Sequence, residues 1–385
     1  MAKMYLGENE IASGSSIVEV NASGKKYNSA EYKTIGSKTY RLIFDDDFDG
    51  AYLDKNAWTD NYLISRANPR YLAYGKHKIE NSVLSLIVEP NSTVKSGVGD
   101  LSEASNSLAV SGIQSIEKNI LHLTNLSYHD VNPYYGFICQ EGYWEIKCKC
   151  PIGSGVHSAF WLVGIQDKTS QRYEVDIIEY KGNTPLQFPH GSHNNGNEPD
   201  VTENYPPTYT ALSENLANDW HTIGWLWESD GMTWFLDGVQ LDYLSATMPQ
   251  YPMGIILSLY QRKYGTGWTG AADNTLGVLS FDIDYIKVYK PAQYQLEEVS
   301  TTGQDSISIE VGSTYTISDD FGTLTTMPSY CRMNWTDGSK TEHHVKWEIL
   351  TNAIKDKLDN RIPFTWYGYV DDLRMTVSAS ITFSE

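Results

Sequence analysis

Short runs of hydrophobic and β-branched residues recur along the chain and are separated by clusters of Gly, Asn, Asp and Pro. Helical spacing of the hydrophobic positions is nearly absent, and this combination is typical of an all-β protein. The runs that predict strands in the first three quarters of the chain are Tyr143 to Cys150, Ala159 to Val163, Val175 to Tyr180, His221 to Trp227, Thr233 to Leu236, Met253 to Leu259 and Tyr285 to Tyr289. The pairs Asp230-Gly231 and Asp237-Gly238 separate such runs and predict hairpin turns. We therefore predict an all-β sandwich or barrel.

The strand pattern is interrupted at Lys290-Pro291-Ala292-Gln293 and then resumes with a cycle of its own. The later runs are Ser306 to Glu310, Thr314 to Ile317, Tyr330 to Trp335, His344 to Ile349 and Met375 to Phe383. The first residues are instead rich in Ser, Gly, Asn and Lys, as leaders and linkers are. We predict a leader or linker at residues 1–37, a large β-domain at 38–291 and a second, smaller β-sandwich at 292–385.

Composition narrows the classes of function. Acidic residues outnumber basic ones by 48 to 29, and the resulting net charge of −19 argues against nucleic acid as a partner. No apolar run reaches the roughly 18 residues of a membrane-spanning helix, so we expect no membrane partner. Cys148 and Cys150 are two of only four cysteines and predict buried, reduced thiols. The 11 Trp and 27 Tyr suit sugar binding, but β-sandwiches also use many aromatic residues in their strands, and composition alone favours this second explanation.

The densest candidate chemistry lies between Tyr173 and Tyr180, where three acids alternate with β-branched residues. On a strand, Glu174 and Asp176 point to the same face because side chains alternate with a period of two. Glu179 follows Glu174 by five residues, so plain alternation sends it to the opposite face. One extra residue in a β-bulge at Ile177-Ile178 returns it to the face of the other two acids.

Three carboxylates on one face allow more than one interpretation. Two glutamates whose carboxyl groups lie about 5 Å apart suit a retaining glycosidase, with one acid as the nucleophile and the other as the general acid/base. Clustered acids repel one another, so we expect one of them to stay protonated near neutral pH. A solvated acidic strand face and a calcium site are the other interpretations. Spacing alone leaves all three open.

The motif Glu-Val-Asp-Ile-Ile-Glu resembles the signature of glycoside hydrolase family 16 in its bulged form. Further motifs follow over residues 40 to 290 in the order found in the family: Leu42 to Gly50 with Leu53-Asp54 and Trp58, Gly142 to Lys147, Ser158 to Leu162, Trp220-His221-Thr222, Phe235 to Gly238 and Asp284 to Tyr289. The resemblance is to laminarinase-like members of the family. It implies a concanavalin-like jelly-roll sandwich, with a sugar-binding cleft on its concave sheet.

The same resemblance implies endo-hydrolysis of a β-linked polysaccharide, of the β-1,3-glucan or galactan type, with retention. By position, Glu174 would be the nucleophile, Asp176 would orient it and Glu179 would be the general acid/base. No cofactor is expected for catalysis. The alternative is a non-catalytic carbohydrate-binding or virion tail-associated adhesion protein, which would have no need of Glu179.

Substrate-binding residues are also implied by position in the family: Trp161, Trp268, His193, Asn68 and Arg66. A core tryptophan, a loop aromatic residue and a plain loop histidine are the alternatives for the first three. The chain departs from the laminarinase-like pattern in two places that touch the cleft rim. It has His157-Ser158 where Trp-Pro is usual, and Thr269 where the loop usually has proline.

The family often has a structural calcium far from the cleft, and the matching positions here are Gly50 and Asp284. Residues 301–385 resemble a bacterial immunoglobulin-like domain through Met327-Pro328, Trp335 to Gly338, Val345 to Trp347 and Gly368 to Val370. Met4 to Ile11 resemble the start of tail-associated proteins of phages. These resemblances imply a polysaccharide as partner and assembly into a virion or cell surface through the leader or the second domain. No secretory signal is visible in Met1 to Ser16, which fits a virion-borne protein or a shortened sequence, and we expect an extracellular or virion-associated location.

Overall fold

The computed structural model of the chain describes residues 32–55, 57–63, 73–94, 108–117, 134–165, 170–198, 201 and 205–291, together with short strands nearer both ends and residues 357, 360 and 362. The chain divides into two compact units. One unit is Phe44–Tyr289, and the other combines Met1–Ile43 with Lys290–Glu385. The predicted large β-domain at 38–291 spans the first of these units.

Five short strands precede the first unit: β1 (Met4–Leu6), β2 (Asn9–Ala12), β3 (Glu19–Val20), β4 (Lys26–Tyr27) and β5 (Tyr32–Ile35). β1 pairs with β2 and β3 pairs with β4, both antiparallel. β5 forms a hairpin with the next strand, in which Ile35 is opposite Lys38. Residues 32–35 were predicted to belong to the leader, because its polar composition hides the short alternation of Tyr32 and Thr34.

The strands that follow build the first unit. They are β6 (Lys38–Asp46), β7 (His77–Glu80), β8 (Val83–Val88), β9 (Leu108–Gln114), β10 (Ile116–Glu117), β11 (Tyr134–Tyr135), β12 (Ile138–Cys139), β13 (Gly142–Lys149), β14 (Val156–Gly164), β15 (Tyr173–Lys181), β16 (Gln187–Asn194), β17 (Tyr205–Ala211), β18 (His221–Glu228), β19 (Gly231–Leu236), β20 (Val239–Ser245), β21 (Met253–Arg262), β22 (Thr266–Gly267), β23 (Gly270–Ala271) and β24 (Leu279–Pro291).

Two large antiparallel sheets dominate these strands, and the all-β prediction is confirmed. A seven-stranded sheet has the order β12-β21-β14-β15-β16-β17, with β9 paired to β21. A nine-stranded sheet has the order β20-β19-β18-β13-β24-β6-β5, with β8 paired to β24 and β7 paired to β8. Strands that neighbour one another in these sheets are often distant in sequence, as in a sandwich built from long-range connections.

The nine-stranded sheet directs a stack of tryptophans into the core. Trp144 of β13 is opposite Trp225 of β18, which is in turn opposite Trp234 of β19. Together with Trp227 these side chains are almost completely inaccessible to solvent. Each fully buried large apolar side chain stabilises the fold by about 1.5–3 kcal/mol relative to exposure. Four of the eleven tryptophans therefore serve the core and not a sugar site.

A polar contact also joins the two sheets. His190 of β16 lies with its Nε2 atom 2.9 Å from Oδ2 of Asp242 on β20, and the hydroxyl of Tyr205 donates to the same oxygen at 3.1 Å. His190 is completely buried. The contact fixes β16 against the opposite sheet, and β16 is the strand that lies beside β15.

The local predictions are mostly confirmed. The turn Asp237-Gly238 joins β19 to β20, and both residues have the positive φ angles, 50° and 79°, that a tight hairpin requires. The other turn is displaced by one residue, because Gly231 already belongs to β19 and is opposite Glu228.

Cys148 and Cys150 are buried and free, as predicted. Among the described residues, no helix is long and apolar enough to cross a membrane.

Near the end of the chain the structure describes five strands: β25 (Tyr330–Asn334), β26 (Lys340–His344), β27 (Lys346–Trp347), β28 (Phe364–Val370) and β29 (Met375–Ile381). They form a two-stranded sheet, β25-β26, and a three-stranded sheet, β27-β28-β29. The predicted strands Ser306 to Glu310 and Thr314 to Ile317 lie outside the described residues. The immunoglobulin-like arrangement therefore stays a prediction.

Candidate active site

The register of β15 against β14 determines which side chains of β15 share a face. Three of its pairs concern the predicted acids: Glu174 with Val163, Asp176 with Trp161 and Glu179 with Ala159. The three β14 positions are two residues apart, so they point to one face of the sheet, and their partners point to that face as well. We call Glu174, Asp176 and Glu179 the carboxylate row, and the side of the sheet that bears them the carboxylate face.

A β-bulge makes this arrangement possible. Phe160 is opposite Ile178 and Trp161 is opposite Asp176, which leaves Ile177 as the additional residue of β15. The bulge predicted at Ile177-Ile178 is confirmed. Without it, Glu179 would point to the opposite side, where Ile178 is fully buried.

The first two acids of the row are almost buried and have polar neighbours on or just after β16. Glu174 is 8% exposed, and its Oε2 atom accepts a hydrogen bond of 2.8 Å from the side-chain amide of Asn195. Asp176 is 3% exposed, and its Oδ2 atom lies 3.4 Å from Nε2 of His193. His193 is opposite Glu174 in the register, so it belongs to the carboxylate face. The imidazole thus lies on the carboxylate face beside Asp176.

Glu179, the third acid of the row, is more accessible, with a side chain that is 20% exposed. Its Oε1 atom lies 3.6 Å from Nε2 of His157 on the neighbouring strand β14. The His157 ring stacks on Tyr260, with centroids 5.2 Å apart and planes at 19°. Tyr260 in turn contacts the hydroxyl of Tyr62 through its own hydroxyl. Stacking on Tyr260 therefore orients the His157 imidazole that faces Glu179.

Trp161 lies in the middle of the carboxylate face, directly opposite Asp176. Its indole Nε1 donates a hydrogen bond of 3.3 Å to the hydroxyl of Ser258 on β21, and only 6% of the residue is exposed. Ser258 also pairs with Ala159, the residue opposite Glu179. Two small side chains, those of Ala159 and Ser258, thus lie in line with Glu179.

Trp268 projects from a tight hairpin formed by β22 and β23, in which Gly267 is opposite Gly270. A side chain at Gly270, which has a φ of +96°, would be strained and would meet Ser154 at 2.8 Å. The Trp268 ring is 37% exposed and meets the His157 ring edge-to-face, with centroids 4.9 Å apart. The hairpin therefore brings this indole to the Glu179 end of the row.

Lys181 ends β15 and is opposite His157, so it belongs to the carboxylate face beyond Glu179. The residue is only 7% exposed. Its ammonium lies 4.4 Å from the ring centroid of Tyr209 and 5.0 Å from that of Trp268. Distances below about 6 Å are typical of cation–π interactions.

The other end of β15 is fixed by a buried tyrosine. The Tyr251 hydroxyl donates to Oε2 of Glu198 at 3.0 Å and accepts a hydrogen bond of 3.2 Å from the backbone N–H of Tyr173. Burial and the adjacent Glu198 carboxylate raise the pKa of Tyr251 well above its usual range, so this hydroxyl remains a donor. The strand that bears the carboxylate row is thus anchored next to Glu174.

The remaining predicted site residues have different outcomes. Asn68 and Arg66 lie outside the described residues. Gly50 and Asp284 were expected near a structural calcium, but the Asp284 carboxylate lies 2.7 Å from the ammonium of Lys147, a pairing that does not favour calcium there. Within the described residues no group of three or more His, Cys, Asp and Glu is arranged to hold a metal ion. The calcium stays a prediction, and no step below uses it.

Four residues at the site were not selected as site residues from the sequence: Asn195, Lys181, Tyr209 and Tyr260. Tyr260 reaches the site from β21, a strand distant in sequence, whereas the contacts of Asn195, Lys181 and Tyr209 depend on how β15, β16 and β17 pair. His157 was noted only as a departure from a familiar pattern. The sequence did contain a signal for His157. It occupies alternate positions of one strand with Ala159 and Trp161, so all three side chains point to the same face.

Comparison with known proteins agrees with this architecture. Residues 133–287 match the sequence profile of the glycosyl hydrolases family 16. Glucan endo-1,3-beta-glucosidase A1 of Niallia circulans is 23% identical over 269 residues, covering 65% of this chain and 38% of that protein. Endo-1,3-1,4-beta-glycanase ExsH of Rhizobium meliloti is 29% identical over 161 residues, covering 40% of this chain and 32% of that protein. The chain thus spans about a third to two fifths of the length of these relatives.

Solved structures support the fold. A Clostridium perfringens endo-β-galactosidase that releases GlcNAcα1-4Gal superposes with a TM-score of 0.57 at 20% identity, covering 94% of this chain and 82% of that one. The endo-β-1,3-glucanase of Pyrococcus furiosus superposes with a TM-score of 0.51 at 21% identity, covering 68% of this chain and 98% of that one. These similarities establish the β-sandwich.

Proposed function

We propose that this chain, whose residues 133–287 form a family 16 glycosyl hydrolase domain, is a retaining endo-glycosidase that hydrolyses a β-linked polysaccharide. The observation that supports this most directly is the carboxylate row. A bulge at Ile177 brings three acids to one face of the sheet, and each has a different polar neighbour. A merely solvated strand face would not need two of those acids to be almost buried.

In the proposed reaction, the carboxylate of Glu174 attacks the anomeric carbon and forms a covalent glycosyl ester. Glu179 gives its proton to the glycosidic oxygen as the bond to the leaving sugar breaks. Glu179 then takes a proton from water, whose oxygen attacks the same carbon and releases Glu174. The two inversions give overall retention, as in other double-displacement glycosidases.

The neighbours of the row support these roles. Asn195 donates to Glu174 and limits the rotation of its carboxylate, which suits a nucleophile that must keep one orientation. Asp176 lies between the two glutamates in the row and near His193, and its negative charge favours the protonated form of an adjacent acid. His157 faces Glu179 at 3.6 Å and orients the acid/base.

Aromatic residues near the row supply the proposed sugar contacts. Trp161 would meet the sugar at the point of cleavage, and Trp268 would form a wall at the Glu179 end. His193 is partly exposed, at 34%, and lies close enough to the row to donate to a sugar hydroxyl. The curated relatives bear names of 1,3- and 1,3-1,4-β-glucan enzymes, and one similar structure is an endo-β-galactosidase. We propose β-1,3-glucan or β-galactan as the substrate class.

Glu174→Gln tests the proposal on a panel of β-1,3-glucan, mixed-linkage β-1,3-1,4-glucan and β-galactan. Wild-type protein should release oligosaccharides of intermediate size whose first-formed reducing ends are β-anomers by NMR. The variant should lose about 10³-fold or more of this activity, because a covalent nucleophile has been removed. Glu80→Gln on the exposed strand β7 is the matched control. Equal release of reducing sugar by wild type and Glu174→Gln would refute the assignment.

A further inference from the structure

Lys181 is an unusual residue for the carboxylate face. It is charged, only 7% exposed, and located two residues beyond Glu179 on the carboxylate face. In the described part of the chain, no carboxylate oxygen lies within 4.0 Å of its ammonium, which instead meets the rings of Tyr209 and Trp268. Burying an ammonium without a counter-ion is costly, and two aromatic rings recover only part of that cost.

The rings that hold Lys181 are themselves open to solvent. Tyr209 is 43% exposed and Trp268 is 37% exposed. An exposed ring can receive the apolar C–H face of a sugar, while an ammonium between two such rings can receive a negatively charged oxygen. The two rings therefore suit the apolar face of an acidic sugar, and the ammonium suits its negatively charged group.

We propose that Lys181, with Tyr209 and Trp268, forms a subsite for an anionic substituent of the polysaccharide, a sulfate ester or a carboxylate. The proposal rests on the proposed glycosidase function, because it assigns the substrate class of the same site. It runs against the overall charge of −19, which repels polyanions at long range. A buried local ammonium overcomes that repulsion because contact interactions are screened less than distant ones.

The ordinary alternative is that Lys181 only supports the Trp268 hairpin. Lys181→Met separates the two explanations, because it keeps an unbranched stem against both rings and removes the charge. Lys149→Met is the matched control, since Lys149 also lies over an indole, that of Trp220 at 5.2 Å, but on the nine-stranded sheet.

The experiment compares one neutral polymer, chosen as the best substrate of wild-type protein, with its sulfated and its carboxymethylated derivatives. Lys181→Met should lose about ten-fold more kcat/KM on a charged derivative than on the neutral parent, because a charge-assisted hydrogen bond is removed. The two derivatives distinguish sulfate from carboxylate. Lys149→Met should show the same ratio as wild type. Equal losses on neutral and charged polymers, or no loss on either, would overturn the subsite.

A binding measurement makes the result independent of turnover. Calorimetry compares Glu174→Gln with Glu174→Gln/Lys181→Met, using sulfated and carboxymethylated β-1,3-glucan oligosaccharides and their neutral parent. The proposal expects the added lysine substitution to weaken binding of a charged ligand about ten-fold more than binding of the neutral one. If wild type cleaves no polymer but this difference appears, the glycosidase proposal fails and the subsite stands. If cleavage occurs and the difference is absent, the subsite alone fails.

Discussion

Strands β13 and β15 both bury a glutamate, in different sheets of the same unit. Glu145 on β13 is 3% exposed and Glu174 on β15 is 8% exposed. Glu145 accepts hydrogen bonds of 3.0 Å from the hydroxyls of Tyr143 and Tyr285. Glu174 accepts from an amide and shares its face with two more acids. Burial alone therefore does not identify a catalytic acid, and the neighbours of the carboxylate are more informative.

The tyrosine partners of Glu145 are poor proton-transfer groups. Burial and the Glu145 carboxylate raise the pKa values of Tyr143 and Tyr285 well above the usual range. Both phenols stay protonated and donate permanently, which holds Glu145 in a fixed structural role. The carboxylate row instead has imidazole neighbours, which exchange protons near neutral pH. The surroundings of Glu145 therefore stabilise a sheet, whereas the carboxylate row has neighbours that can exchange a proton.

Among the tests of this difference between the surroundings of Glu145 and the carboxylate row, Asp176→Asn should have the largest effect. The substitution keeps the shape and removes the charge between Glu174 and Glu179. We expect kcat to fall about 10²-fold or more and the basic limb of the pH–rate profile to move to lower pH, since the acid/base loses a negative neighbour. Thermal unfolding should be nearly unchanged because repulsion is relieved. An unaltered rate and an unaltered pH profile would exclude Asp176 from the catalytic group.

Glu145→Gln should have the opposite signature. A neutral amide cannot accept equally from two phenols, so a buried hydroxyl loses part of its hydrogen bonding. We expect unfolding in urea to show a loss of about 1–3 kcal/mol, while kcat of the folded protein stays within two-fold of wild type. Glu174→Gln serves as the converse control, with lost activity and little lost stability. A large fall in kcat for Glu145→Gln would show that the two regions are not functionally separate.

Alkaline pH should destabilise the fold around Glu145, because the tyrosines that donate to this glutamate lose their protons more readily in the unfolded chain. The pKa of Tyr143 is raised on folding, so its contribution is complete below the ordinary value near 10 and is lost as pH rises above it. Stability should then fall by up to about 1.4 kcal/mol per pH unit for each such group. Tyr143→Phe should reduce this slope, measured by urea unfolding between pH 9.5 and 11. An identical slope in the variant would contradict the linkage.

The smallest expected effect concerns the contact between the sheets. Burial raises the pKa of Asp242, but hydrogen bonds from His190, the Tyr243 backbone and Tyr205 outweigh it, so the pKa is lowered overall. Its stabilisation is present above about pH 4 and is lost as pH falls further. We expect Asp242→Asn to cost about 1 kcal/mol at neutral pH and progressively less as pH falls below about 4. A loss that stays the same from neutral pH through the acid range would contradict an ionic contribution.

The sequence predicted much of β15 and its surroundings. The strand, its bulge and the common face of the three acids followed from local alternation, since a charged Glu179 cannot point into the core beside Ile178. The polar neighbours of the acids could not be predicted from local alternation. Lys181 meets Tyr209 only because β15, β16 and β17 are adjacent, and Asn195 reaches Glu174 across a hairpin. Local patterns predict which way a side chain points, whereas its partners depend on long-range register.

Aromatic residues illustrate the same limit. Trp144, Trp225 and Trp161 all occur in hydrophobic strand segments and look alike in sequence. The first two fill the core of the nine-stranded sheet, while Trp161 is opposite Asp176 on the carboxylate face. Apart from its position in the family pattern, only the parity of Trp161 relative to the acids distinguishes it, and that parity becomes visible once the strands are paired.

The bulge at Ile177 uncouples the length of β15 from the orientation of its acids. Removal of Ile177 would leave Glu174 and Glu179 four positions apart, so plain alternation would still keep Glu179 and Lys181 on the carboxylate face. With Ile177 present but paired regularly, Glu179 and Lys181 would instead exchange sides with Ile178 and Tyr180. The bulge thus keeps the proposed proton donor and the proposed anion subsite in phase with Glu174 despite the additional residue. Among homologous sequences we therefore expect two forms of this strand, one with the additional residue and its bulge and one without either, because both keep the three acids on one face.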